Sequence, residues 1–236
     1  MASDDRIRHL IRFYSILDTL EKGVGGARTL AECSGRITWP RRGVYFFRET
    51  GEQRSDSGKG PRIVRVGTHA LREGGSTRLW TRLSQHKGQK NTGGGNHRGS
   101  IFRLIVGTSL IGLRGYDYPT WGDKNTAAAE IRAGEHALEC EVSNIIGTMP
   151  FLWIAIDDEA GPASLRGYVE KNAIALLSNY KKPPLDPPSI AWLGHHCDRE
   201  RVRDAGLWNL DYVDKPYDPA FLDQLDVLVS ATGHAG

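Results

Sequence analysis

Two runs constrain this chain most: "GVYFFRET" (residues 43–50) and "RIVRVG" (62–67), joined by the polar stretch "TGEQRSDSGKGP". Valine, isoleucine, phenylalanine and tyrosine suit a pleated, half-buried surface, whereas glycine, serine, aspartate and proline suit turns. Residues 43–48 and 62–67 therefore read as two strands of one hairpin. Each strand carries a glycine at one end, and whether the hairpin is scaffold or site depends on the residues that the rest of the chain sets around it.

The rest of the chain is mostly helical. Residues 4–20 set Ile7, Leu10, Ile11, Tyr14 and Leu17 at helical spacing, ahead of a glycine-rich joint at 23–26. Ser76 or Thr77 can cap a helix running to about His86, and Ser100 can cap another through Ile101, Leu104, Ile105 and Thr108. Residues 127–144 are helical by composition, "MPFLWIAI" is a buried strand, and "SLRGYVEKNAIALLSNY" is a helix capped by Ser164. Pro183, Pro184, Pro187 and Pro188 end it. Helical stretches are expected again near 198–206 and 219–229. In the last of these Phe221, Leu222, Leu225, Leu228 and Val229 form an apolar face that needs burial, on its own domain or on another subunit.

The expected fold is α/β (α+β): a small three-stranded mixed or antiparallel sheet flanked by helices, with an N-terminal helix and a C-terminal helical extension. The expected organisation is an N-terminal extension over 1–40, a core over 41–182, and an extension over 183–236 that packs on the core. A chain of 236 residues suits one such domain with additions.

Charge is unevenly placed. Residues 1–100 carry 19 Lys and Arg against 9 Asp and Glu, while the remainder carries 12 against 19. A basic half suits a polyanion, because each neutralised phosphate releases condensed counterions. No apolar run is long enough to span a bilayer, and the charged start "MASDDRIRHL" is no signal peptide, so a cytoplasmic protein without a membrane partner is expected. Cys33, Cys140 and Cys197 are too few and too scattered for a disulfide framework.

The order strand, strand, helix, helix, strand, helix, with "GVY" at 43–45, "RVG" at 65–67, "RLSQH" at 82–86 and a glutamate at 170, resembles the GIY-YIG nuclease superfamily, in particular its restriction and homing endonuclease-like members. The resemblance covers roughly residues 41–182. It implies a GIY-YIG-like core, a DNA endonuclease that hydrolyses phosphodiester bonds, and a Mg²⁺ or Mn²⁺ cofactor held by Glu170. By position it assigns Tyr45 to the first motif, Arg82 and His86 to the helix, and Glu170 to the metal. The family's second tyrosine is replaced by Arg65, which cannot accept a proton at ordinary pH. His69, two residues past Gly67, stands where some relatives have a basic residue. A late asparagine is also implied; Asn179 comes too early, and Asn209 in "GLWN" is the first choice.

These residue types suit the chemistry. Phosphodiester hydrolysis needs a base for water, positive charge at the phosphate and help for the leaving oxygen. A tyrosine side chain ordinarily titrates near pH 10, so a proton-accepting Tyr45 needs cations beside it. Arg82 and His86, four residues apart on a helix, reach the same point. One carboxylate suits a weakly held divalent ion whose other positions go to water and phosphate.

The loop "KNTGGGNHRGS" lacks the ending of a phosphate-binding P-loop. It reads either as a surface loop or as a substrate-contacting one, with Lys87, Lys90, His97 and Arg98 as DNA contacts alongside Arg41 and Arg42. His136 with Cys140, and the run "GHHCDRE", offer zinc donors but at no recognised spacing. The expected function is a metal-dependent DNA endonuclease of restriction or phage-defence type; the alternative is a non-cleaving nucleic-acid-binding module on the same fold. Cutting both strands would favour a homodimer, and a restriction role would bring a cognate methyltransferase.

Overall fold

The computed structural model describes residues 2–123 and 126–232. Helix α1 (Ala2–Gly23) leads to the two-residue strand β1 (Arg28–Thr29), then to β2 (Gly43–Gln53) and β3 (Pro61–Gly67). Next come α2 (Leu79–Lys87), α3 (Ile101–Arg114), α4 (Ala129–Gly134), α5 (His136–Thr148), β4 (Pro150–Ala155), α6 (Leu165–Leu177), α7 (Glu200–Ala205) and α8 (Phe221–Thr232). The sheet is antiparallel in the order β1-β4-β2-β3. It has four strands where the sequence reads as three, because β1 is a short edge addition on β4.

Alternation along β2 divides the core. Val44 and Phe46 face a cluster with α1, α6 and α8, while Tyr45 and Phe47 face α2, α3 and α5. The first cluster takes residues from both chain ends: Leu10, Phe13 and Leu17 of α1 pack with Phe221, Leu225 and Val229 of α8. Arg12 on α1 pairs with Asp223 on α8 at 2.7 Å. The apolar face of the last helix is thus covered within the chain. No helix of the described residues is long and apolar enough to cross a membrane.

The hairpin strands are longer than their apolar runs suggest, and residues 54–60 form its tip. Asp186 holds that tip by accepting backbone N–H groups of Ser55, Asp56 and Ser57 at 2.8–2.9 Å. Phe47 lies opposite Arg65, but Arg48 lies opposite Ile63, so Val64 is an extra residue in β3. This bulge puts Val64 and Arg65 on the side of α3, and such irregularities re-aim side chains.

Two helices start at the serine caps that the sequence offers, and α2 does not. Ser100 accepts the Arg103 N–H and Ser164 the Gly167 N–H, both as N-caps. Neither Ser76 nor Thr77 caps α2. Its N-cap is Arg78 without a side-chain bond, and the Leu79 N–H goes instead to the Arg41 carbonyl at 3.0 Å. The helix expected over 127–144 is two helices, broken at Glu135.

Candidate active site

The two motif glycines are explained by close approach. A Cβ on Gly43 would strike the Ile154 carbonyl of β4, and one on Gly67 would overlap the ring and hydroxyl of Tyr45. Tyr45 and Gly67 are cross-strand partners, so the tyrosine lies flat over its neighbour strand. The "G" of each motif therefore makes room for backbone or for the tyrosine.

Tyr45 and His86 are both fully buried, and the Tyr45 hydroxyl lies 2.8 Å from His86 Nε2. His86 Nδ1 is 2.7 Å from Ser100 Oγ, the N-cap of α3. Burial holds the imidazole pKa well below its ordinary value, and Arg82, Arg65 and Arg103 add to the effect. His86 is therefore neutral. In the tautomer with Nδ1–H donating to Ser100, Nε2 accepts from the Tyr45 hydroxyl. A phenol bonded to a free imidazole lone pair can pass on a proton.

Beside this pair a cavity of about 370 Å³ is lined by Arg65, Thr68, Arg82, Glu170, Asn209, Asp211 and Tyr212, among others. Arg65 is buried; its guanidinium donates to the Trp208 carbonyl and lies 4.7 Å from the Phe102 ring centre. Desolvation lowers its pKa, and Tyr45 and Glu170 act in the opposite direction. Arg82, from α2, donates to Gln85 and to the Gly99 carbonyl. Strand and helix so bring two guanidiniums to one cavity.

Glu170 enters from α6. One of its oxygens accepts the Thr68 N–H at 3.0 Å, just past the end of β3. Burial raises this carboxyl to about 7, with Arg65, the Thr68 N–H and Arg82 lowering it and Asp211 raising it. The donor set suits a divalent ion: Glu170, fixed by a backbone bond, and Asp211 put carboxylate oxygens on one cavity whose remaining space is left to water and substrate. Among the described residues no group of three or more His, Cys, Asp or Glu is placed to hold a metal.

Of the other candidates from the sequence, one lines the cavity and two lie elsewhere. Asn209 lines the cavity, but its amide is committed to β3: Oδ1 accepts from the Val66 N–H (3.1 Å) and Nδ2 donates to the Val66 carbonyl (2.9 Å). Asn179 binds Arg6 and Leu185, away from the cavity. His69 is buried outside the cavity wall, its pKa pushed down to about 4 by desolvation and then by Arg166, which donates to its carbonyl.

The expected DNA contacts divide into two sets. Arg41 and Lys90 are exposed, and Lys87 is half-buried with its ammonium on the Ala31 and Cys33 carbonyls. Arg42 is buried and donates to the Asp158 carbonyl. His97 is buried, gives both its N–H and Nδ1 to Glu139, and stacks on Trp121 at 3.8 Å. Arg98 forms a two-armed pair with Glu135 at 2.6 and 2.9 Å, both side chains 3% exposed. The glycine loop folds inward onto α3 and α5: a Cβ on Gly94 would strike His136 of α5, and one on Gly95 would strike Arg103 of α3. The side chains of Arg42, His97 and Arg98 are taken up inside the protein.

Ser100, Thr68, Asp211 and Tyr212 belong to the site without any motif to announce them. The only signal was indirect: "LDY" directly succeeds Asn209.

Two arginines, Arg65 and Arg82, and two carboxylates, Glu170 and Asp211, thus line one cavity, with a tyrosine–histidine pair behind it. A family model described as GIY-YIG domain matches residues 4–235. The chain belongs to this GIY-YIG family, which is of nuclease type. Comparison with curated proteins found no match, and comparison with solved structures found none.

Proposed function

We propose that this chain is a metal-dependent DNA endonuclease, of restriction or phage-defence type, using Mg²⁺ or Mn²⁺ at Glu170. The observation that carries the reading is the meeting of Arg65, Arg82 and Glu170 at one cavity, with the buried Tyr45–His86 pair behind Arg65. Arg82 and Arg65 bind the non-bridging oxygens of a phosphodiester and stabilise the charge that develops there. The ion on Glu170, when bound, supplies Lewis-acid chemistry at the phosphate.

Tyr45 takes a proton from the attacking water as its own proton passes to His86 Nε2. The water oxygen bonds to phosphorus, and the bond to the leaving oxygen breaks. Tyr45 is sealed behind the cavity wall and Arg65 is its neighbour. Substrate must therefore draw the Arg65 guanidinium toward the phosphate before water reaches the phenol; catalytic contacts commonly tighten only when substrate binds.

The same burial favours a second reading, a non-cleaving nucleic-acid-binding module in which Tyr45 serves packing. Nicking of supercoiled plasmid in Mg²⁺ by wild type beside Glu170→Gln separates the two. A homodimer on DNA and a cognate methyltransferase are the partners that the first reading proposes.

A further inference from the structure

The stretch 207–212 is fixed along the free edge of β3. Trp208 gives its backbone N–H to the Val64 carbonyl at 2.7 Å, and Asn209 uses both halves of its amide on Val66. Three residues on, Tyr212 adopts φ 65°, a left-handed backbone uncommon for any residue but glycine. Its ring packs against the α1–α6–α8 cluster, and its side chain lines the cavity shared by Arg65, Arg82 and Glu170. Among the described residues its hydroxyl has no hydrogen-bond partner, while the charges of Glu170 and Asp211 act on it.

We infer that Tyr212 is a further substrate-contacting residue of this site, its hydroxyl donating a hydrogen bond to a phosphate oxygen held by Arg65 and Arg82. The inference rests on the hydrolase reading for the identity of the substrate. A half-buried tyrosine that served packing alone would need only its ring, which phenylalanine supplies equally. Tyr212 lines the cavity with its hydroxyl unbonded among the described residues, and a phenol is a neutral donor that can approach phosphate beside two carboxylates. Rigid attachment through Val64 and Val66 keeps the loop-borne side chain in place, as binding residues on loops require.

Two measurements test it. Tyrosine nitration by tetranitromethane, mapped by peptide mass, is compared with and without a short duplex, with Ca²⁺ replacing Mg²⁺ to keep the duplex uncut. In parallel, Tyr212→Phe is assayed for Mg²⁺-dependent nicking. The expected results are nitration of Tyr212 in the free protein, several-fold protection by duplex, and nicking slowed about 10- to 100-fold by loss of one hydrogen bond to a charged group. The melting temperature should stay within about 2 °C, since the ring remains.

Equal nitration with and without duplex overturns the inference whatever the rates, and so does nicking by Tyr212→Phe at the wild-type rate. Protection of Tyr212 in a protein that nicks nothing keeps the contact and removes the hydrolase reading. Nicking with Tyr212 unprotected does the reverse.

Discussion

Replacing Glu170 by glutamine should stabilise the metal-free protein at alkaline pH and leave it nearly unchanged in acid. The carboxyl is raised from its ordinary 4.5 to about 7, chiefly by burial. A raised carboxyl is a group whose neutral form the fold prefers. Its contribution is fully present below pH 4.5 and is lost as pH rises through about 7. At 1.36 kcal/mol per unit the shift corresponds to about 3 kcal/mol, reduced to about 2–3 kcal/mol by solvent reaching the cavity. The glutamine amide oxygen still accepts from the Thr68 N–H, so that bond survives. For a domain of this length the gain converts to a rise in Tm of about 4–12 °C. Thermal unfolding of both proteins in EDTA, from pH 4 to pH 8, reads it directly. The difference should be near zero at pH 4, grow through the interval and level off above about 7. Added Mg²⁺ should then raise the wild-type Tm and leave that of Glu170→Gln unmoved. Equal melting at pH 8 in EDTA, or a less stable Glu170→Gln, would refute the claim that burial controls this carboxyl.

Tyr45→Phe should slow nicking by about a hundredfold or more if the phenol relays the proton, and it should also lower stability by about 1–3 kcal/mol, because His86 Nε2 loses its buried partner. Single-turnover kinetics and urea unfolding separate the two effects, and a wild-type rate would return Tyr45 to packing. Arg98→Ala should cost about 3–5 kcal/mol in unfolding free energy, as breaking a buried ion pair does, since Glu135 is left without its two-armed partner. An unchanged unfolding midpoint would restore Arg98 to the surface. Duplex affinity should fall steeply with added salt, measured by fluorescence anisotropy, because exposed cations such as Arg41 and Lys90 displace counterions; a flat salt profile would remove DNA from the account.

Local chemistry made part of this protein readable. The alternation of Val44, Tyr45, Phe46 and Phe47 reports which side of the sheet each faces, and Ser100 and Ser164 cap the helices that begin after them. Tyr45, Arg82, His86 and Glu170 stand in motif order, so a cavity lined by Arg82 and Glu170 with Tyr45 and His86 paired behind it could be anticipated. What could not be read depends on distant partners. Arg98 and His97 resemble surface cations until Glu135 and Glu139, about forty residues on, turn them inward. Helix α2 starts without a side-chain cap because the Arg41 carbonyl, remote in sequence, takes its first N–H. Strand β1 is too short to show a period of two, and exists only through β4. Asp211 and Tyr212 reach the cavity because Asn209 mimics a strand partner along β3, a side-chain arrangement that leaves no periodic trace.

The most direct test of the central claim is hydrolysis of supercoiled plasmid by the purified chain under single-turnover conditions, with Mg²⁺, with Mn²⁺ and with EDTA, for wild type and Glu170→Gln together. The account predicts that wild type converts supercoiled to nicked or linear DNA only when a divalent ion is present. Glu170→Gln should be inactive in Mg²⁺ and at most partly rescued by high Mn²⁺, since the ion loses its carboxylate and keeps only water and phosphate. Plasmid bound but left intact at every metal concentration, or cut equally by both proteins, would contradict it.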